Sequence, residues 1–178
     1  DEKRPLLFVE LCARAMKENG DIHAVLMGEG PLRAEVEAAA RSMEISERFH
    51  AIGRRSDVAT VMSSMDVFLH TAWWEGTPNV VREAQQLMLP VVVAAGGGAA
   101  DAVAGGQTGR LVAKEDVDAL ANALIDVIGN LDYWIERAKS GPAFIASRFS
   151  VERMIDETLR IQQSACGVAE ELNVLAEV

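Results

Sequence analysis

Short apolar runs alternate along this chain with segments whose apolar side chains recur every three or four positions. The first pattern suits buried strands and the second amphipathic helices. Pro5 fits a first helical position and Gly20 a C-terminal stop, so the spacing predicts a helix from Pro5 to about Asn19. Ile22 to Met27 then reads as a buried strand, Gly28-Glu29-Gly30 as a turn, and Pro31 as the start of a helix to about Glu44. A short strand, Phe49 to Ile52, ends at Gly53, and Asp57 is placed to cap a helix over Val58 to Ser64. Val67 to His70 is the next strand. A loop, Thr71 to Thr77, leads to a helix from Pro78 to about Met88 and a strand over Val91 to Ala94. Beyond Gly96-Gly97-Gly98 the pattern gives a short helix at Ala99 to Val103, a strand at Gly109 to Val112, and a helix capped by Asp116 that ends near Ile128. The remainder is helical: Leu131 to Lys139, a segment from Pro142, and Val151 to about Gln163.

Brief apolar strands between helices, joined by short turns, predict an α/β fold with a doubly wound, Rossmann-like parallel sheet. The domain is expected over residues 1–163, with Ser164 to Val178 as a tail. The chain opens beside a helix with no strand before it, which reads as a fragment lacking its first strand. A length of 178 residues gives one domain with a sizeable core. The balance of 17 Lys and Arg against 27 Asp and Glu, a formal charge of −10, argues against a nucleic-acid partner, which calls for a basic face. It leaves room for an anionic small ligand held by a few local donors. Cys12 and Cys166 match no metal-ligand spacing, and two reduced thiols point to the cytoplasm. No apolar run reaches the ~18 residues of a membrane span.

Ligands of open α/β sheets sit at the carboxyl ends of the strands. The loop richest in chemistry there is Thr71-Ala72-Trp73-Trp74-Glu75-Gly76-Thr77-Pro78-Asn79. With Thr77 as N-cap and Pro78 as first helical residue, the backbone N–H groups around Gly76 to Val80 and the helix dipole would form an anion site suited to a diphosphate. Glu75 lies just outside that helix and Glu83 about a turn and a half inside it. Helical side chains lean towards the N-terminus, so Glu83 is expected to reach the mouth that Glu75 borders. Two carboxylates beside a phosphate site suit hydroxyls on either side of it, and a nucleotide sugar offers a ribose at one end and a hexose at the other.

Glu75 and Glu83, separated by seven residues within Glu75-Gly-Thr-Pro-Asn-Val-Val-Arg-Glu83-Ala, resemble the E-x7-E signature of the retaining GT-B glycosyltransferases of family 4 (group 1). Gly28-Glu29-Gly30-Pro31, the Gly53 turn, Pro90 to Val93, Gly97-Gly98 with Ala102-Val103, and Thr108 to Val112 follow in the family's order, so residues 3 to about 160 are covered. The resemblance implies the nucleotide-diphosphate-sugar (donor) domain of a hexosyltransferase in polysaccharide biosynthesis, working without metal or cofactor. It places Glu75 by the donor sugar, the amides of Gly76, Thr77 and Asn79 around Pro78 at the distal phosphate, and Glu83 at the ribose. Lys3 matches the Lys of a basic pair that neutralises the leaving diphosphate, with its Arg partner preceding residue 1. Arg54 resembles the part that borders the base. An N-terminal acceptor-binding domain of the same polypeptide is the implied partner, and through it peripheral association with the inner face of the membrane. Leu89 and Asp101 depart from the family pattern, where Gly and Glu are usual.

Simpler readings stand beside these. Glu75 and Glu83 taken alone are a loop charge and a solvated helix charge, and Lys3 a solvated terminal lysine. Gly28-Glu29-Gly30 fails as a dinucleotide fingerprint because Arg33 holds the third glycine position; a plain turn and a turn bordering the ligand are equally open. Gly97 and Gly98 are read as a close approach of backbone to ligand. For His70, contact with sugar or phosphate and a structural role are both open, while Trp73 and Trp74 are read as packing residues. A sugar-nucleotide epimerase of the same architecture and a non-catalytic nucleotide-sugar-binding module are the competing functions.

Overall fold

The alternation of apolar strands and amphipathic helices is realised in the computed structural model, which describes residues 2–165. In chain order come α1 (Pro5–Glu18), β1 (Ala24–Met27), α2 (Arg33–Ser42), β2 (Phe49–Gly53), α3 (Val58–Met62), β3 (Phe68–His70), α4 (Asn79–Gln86), β4 (Val91–Ala95), a 3₁₀ turn (Gly98–Ala102), β5 (Gly109–Ala113), α5 (Val117–Gly129), α6 (Leu131–Ala138), α7 (Gly141–Phe149) and α8 (Val151–Ala165). Two units are distinguished, Asp1–Pro142 and Ala143–Val178. The expected tail lies outside the described residues beyond Ala165, as does Cys166.

All strand pairs of the first unit are parallel. They form two pieces, β1–β2 and β3–β4–β5, where the sequence pattern predicts one sheet. β1 and β3 are each paired on one side only, although one apolar interior serves both pieces. Leu69 of β3 and Ile22, just before β1, each pack against both core clusters. One cluster joins Leu11 and Ala15 of α1 to Leu120 and Leu124 of α5 and to Val92 and Ala94 of β4. Successive strand residues point to opposite faces, so Val91 and Val93, equally buried, point away from that cluster. Both faces of β4 are therefore covered, as a doubly wound fold requires.

Helix boundaries differ from the sequence pattern where capping chemistry differs. Asp116 accepts from the Ala119 N–H at 2.8 Å and caps α5 as expected. Asp57 makes no cap bond, because its carboxylate is gripped by both Arg55 nitrogens, at 2.6 and 2.8 Å. α2 starts at Arg33, with Pro31 left in the preceding turn, and closes through Glu44 at φ 59°. α4 closes the same way through Met88 at φ 58°, with Leu89 N–H bonded to Ala84 C=O. In both, a non-glycine residue holds the left-handed position that glycine fills at lowest cost. In the second unit, every described residue of α8 is exposed, including Val151, Met154, Ile155, Leu159 and Ile161.

Candidate functional site

The predicted site residues are carried by turns at the carboxyl ends of the parallel strands. Gly28 follows β1 and Arg54 follows β2. The two turns are tied by the Gly28 N–H donating to Gly53 C=O at 2.9 Å; Gly28 and Arg54 are exposed. Gly28 has φ 138°, a conformation that favours glycine, so it is at least a required turn residue. Glu75, Gly76, Thr77 and Pro78 follow β3, and Gly97 and Gly98 follow β4.

At Glu75 the chain brings three polar side chains together. Lys3, from the segment before α1, forms an ion pair with Glu75 Oε1, and His70 at the end of β3 places Nε2 3.2 Å from the same oxygen. The Lys3 side chain is largely exposed, whereas those of Glu75 and His70 are 16% and 7% exposed. Burial alone would raise the Glu75 carboxyl pKa, but the hydrogen bonds from Lys3 and His70 and their charge outweigh it and hold it below the ordinary value. Burial pushes the His70 pKa down, with Lys3 and Arg4 adding to the effect and Glu75 partly offsetting it.

The loop that carries Glu75 is fixed from two sides. On one, Arg4 Nε donates to Thr71 C=O at 2.6 Å and Arg4 Nη1 to Lys114 C=O at 2.7 Å, so a single guanidinium joins the loops after β3 and β5. The Thr71 hydroxyl donates to Lys3 C=O at 3.0 Å, and Trp73 N–H to Glu2 C=O at 2.6 Å. Sequence reasoning missed Arg4 because nothing in a lone arginine before a proline signals long-range bracing. On the other side, Gly98 N–H donates to Glu75 C=O at 2.9 Å, and Glu75 bridges to Gly97 as a parallel β-bridge. A Cβ at Gly96 would collide with the Trp73 backbone, at Gly97 with Glu75, and at Gly98 with Gly76. The three glycines therefore allow backbone to meet backbone within the protein. That is a reason for glycine at these positions separate from any approach to a ligand.

The helix start is shifted by one residue from the pattern. Pro78, at ψ 111°, occupies the N-cap position and α4 begins at Asn79; Thr77 makes no cap bond and is exposed. The reason is local: Pro78 C=O accepts from Val81 and Arg82 N–H, so proline supplies the acceptor of the first turn. Gly76 and Thr77 N–H donate to no backbone carbonyl among the described residues, and Asn79 and Val80 N–H are in the first turn, where a helix leaves donors open. The Asn79 side chain is held by Arg82. Four amides beside Glu75 thus have no backbone acceptor among the described residues.

Glu83 is exposed. It lines an open groove of about 440 Å³ with Ser56, Asp57 and Thr60 around the start of α3, and with Gln86 and Leu87 at the end of α4. It therefore faces the segment that follows Gly53 and Arg54. Its neighbour Gln85 is fully buried, bonding Ala102 C=O through its amide nitrogen and accepting from the Thr108 hydroxyl. That bond set locks α4 to the segment between β4 and β5. Trp73 and Trp74 are 42% and 59% exposed, with Lys114 Nζ 4.3 Å from the Trp73 ring centroid and 5.2 Å from that of Trp74.

The family model described as glycosyl transferases group 1 matches residues 1–130. The chain belongs to that family. Among relatives of this group 1 chain, the Vi polysaccharide biosynthesis protein VipC/TviE of Salmonella typhi is 30% identical over 157 residues, 86% of this chain and 27% of the relative. The UDP-Gal:alpha-D-GlcNAc-diphosphoundecaprenol alpha-1,3-galactosyltransferase of Escherichia coli is 30% identical over 129 residues, 71% of this chain and 33% of the relative. The chain therefore spans about a third or less of the length of these two. The crystal structure of Anabaena HepE in complex with UDP-glucose superposes with a TM-score of 0.73 at 25% identity, over 85% of this chain and 44% of that one. Staphylococcus aureus TarM, at 17% identity and a TM-score of 0.83 over 90% of this chain and 33% of that one, shares the fold.

Proposed function

We propose that this chain is the donor-binding part of a retaining glycosyltransferase. The whole protein would transfer a hexosyl group from a nucleotide-diphosphate sugar to a glycan or lipid-linked acceptor in polysaccharide biosynthesis. The observation that carries this reading is the Lys3–Glu75–His70 cluster, set beside four available amides at the start of α4. Those amides and the helix dipole accept the diphosphate. Lys3, paired with Glu75, moves its charge to the leaving phosphate as the bond to the sugar breaks, an electrostatic contribution that asks for no metal or cofactor. Glu75 accepts from sugar hydroxyls. Glu83, in the groove at the start of α3, accepts from the ribose, with Arg54 and Gly28 towards the base.

The acceptor belongs to a second, N-terminal domain, which closes over the donor. Two facts support that partner: the chain spans 27% and 33% of two relatives, and β1 and β3 lie in separate sheet pieces, each paired on one side only. A further parallel strand there would join the two pieces into one sheet. A lipid-linked acceptor would bring the enzyme to the cytoplasmic face of a membrane; among the described residues no helix is long and apolar enough to cross one.

Calorimetry with UDP, GDP, ADP and their glucose or mannose conjugates tests the reading. Glu83→Ala is expected to weaken the nucleotide and the conjugate alike. Glu75→Ala is expected to weaken only the conjugate. Each lost hydrogen-bond set is worth on the order of 1–3 kcal/mol, about ten- to hundred-fold in affinity. Negligible effects of both substitutions on a nucleotide that binds would remove the assignment.

A further inference from the structure

We infer that His70 is a positioning residue for the donor sugar, a neutral imidazole that donates its Nε2–H to Glu75 and fixes where that carboxylate points. The inference rests on the reading of Glu75 as the sugar-side carboxylate. His70 stands at the last position of β3, five residues before Glu75, with its side chain only 7% exposed. Its Nε2 lies 3.2 Å from Glu75 Oε1, and its Nδ1 is buried with no hydrogen-bond partner.

That asymmetry decides the tautomer. With the proton on Nδ1, a buried N–H would be orphaned and a lone pair would face an anion, both unfavourable. With the proton on Nε2, the donor meets the carboxylate and only a weakly demanding lone pair is left unpaired. A charged imidazolium would again orphan the Nδ1–H, and it would lie near Lys3 and Arg4; burial and those charges hold the ring neutral.

Lys3 alone does not orient Glu75. It is a flexible chain, 67% exposed, and in the proposed reaction it is drawn to the phosphate. His70 is rigid, held by β3 pairing to Val93 of β4. It keeps the carboxylate in place when Lys3 leaves.

Two measurements on this chain test the role. In ¹⁵N-resolved NMR of the imidazoles at neutral pH, with His23 and His50 as internal comparisons, His70 is expected as the Nε2–H tautomer. Glu75→Ala is expected to erase that tautomer preference. A Nδ1–H form, or a charged ring at neutral pH, overturns the inference. In calorimetry with UDP and UDP-glucose, His70→Ala is expected to lower UDP-glucose affinity about ten-fold with UDP unchanged, and His70→Gln, which can place an N–H near the same point, to recover most of the loss. Weakening by Glu75→Ala without any effect of His70→Ala overturns the role of His70 alone. If Glu75→Ala has no effect either, the reading of Glu75 fails instead. If UDP-glucose does not bind, the NMR result decides for His70.

Discussion

His70 sits with Nε2 3.2 Å from Glu75, so acid must either leave it neutral or bury a second cation near Lys3 and Arg4. Its pKa in the folded chain lies below the ordinary 6.5, and an unfolded histidine protonates first. The stability it contributes is therefore complete above about pH 6.5 and is lost as the pH falls from there towards the folded value. Glu75, with a folded pKa below 4.5, adds a second loss that begins only below that value. Thermal melts between pH 8 and 4 should show the midpoint falling from about pH 6.5, and His70→Gln should flatten the curve just below pH 6.5 while leaving the later fall in acid. Identical curves for the two proteins would show that His70 pays no charging penalty. Lys3 and Glu75, which the resemblance associates with one ligand, contact each other. Arg4 and the buried Gln85 were illegible, because their partners, Lys114 C=O and Ala102 C=O, are 110 and 17 positions away and are backbone groups.

At the scale of elements, helices and strands follow from apolar periodicity, but their ends depend on competition for single hydrogen bonds. Asp116 and Asp57 look alike in sequence; one caps α5 while the other is taken by Arg55, two residues before it. The glycine loop after β4 is a second example. Composition signals only that small residues are needed, and whether a ligand or the Trp73–Gly76 backbone fills the space is a tertiary fact. Gly98→Ala tests it. The new methyl collides with Gly76 C=O, so either the loop moves or the chain loses stability, by about 1–3 kcal/mol for overpacking of this kind. Because Gly98 N–H also holds Glu75 C=O, a shift of the loop should weaken sugar-nucleotide binding along with the urea midpoint. Unchanged stability and affinity would mean that the approach of the two loops is loose.

For the whole molecule, the parallel α/β class was legible, whereas the division of the sheet was not: a pattern of local runs does not say which edges are filled. Ala24 N–H donates to Arg48 C=O and Gly28 N–H to Gly53 C=O, so even-numbered residues of β1 face β2. Backbone groups alternate sides along a strand, which turns Val25 and Met27 to the unpaired edge. Phe68 N–H donates to Pro90 C=O, which likewise turns Leu69 away from β4. The open edges therefore make a pattern that hydrogen exchange can read residue by residue. In this chain the amides of Val25, Met27 and Leu69 should exchange far faster than those of Leu26 and Phe68, although all belong to strands. In a chain extended at its N-terminus to the length of the relatives, Val25 and Leu69 should gain protection together while Leu26 changes little, because one inserted strand would pair with both edges. Protection gained at only one edge would place the added chain elsewhere than between β1 and β3. Strong protection of all five amides in the present chain would mean that the two sheet pieces already cover each other, and the proposed strand would have no place to enter.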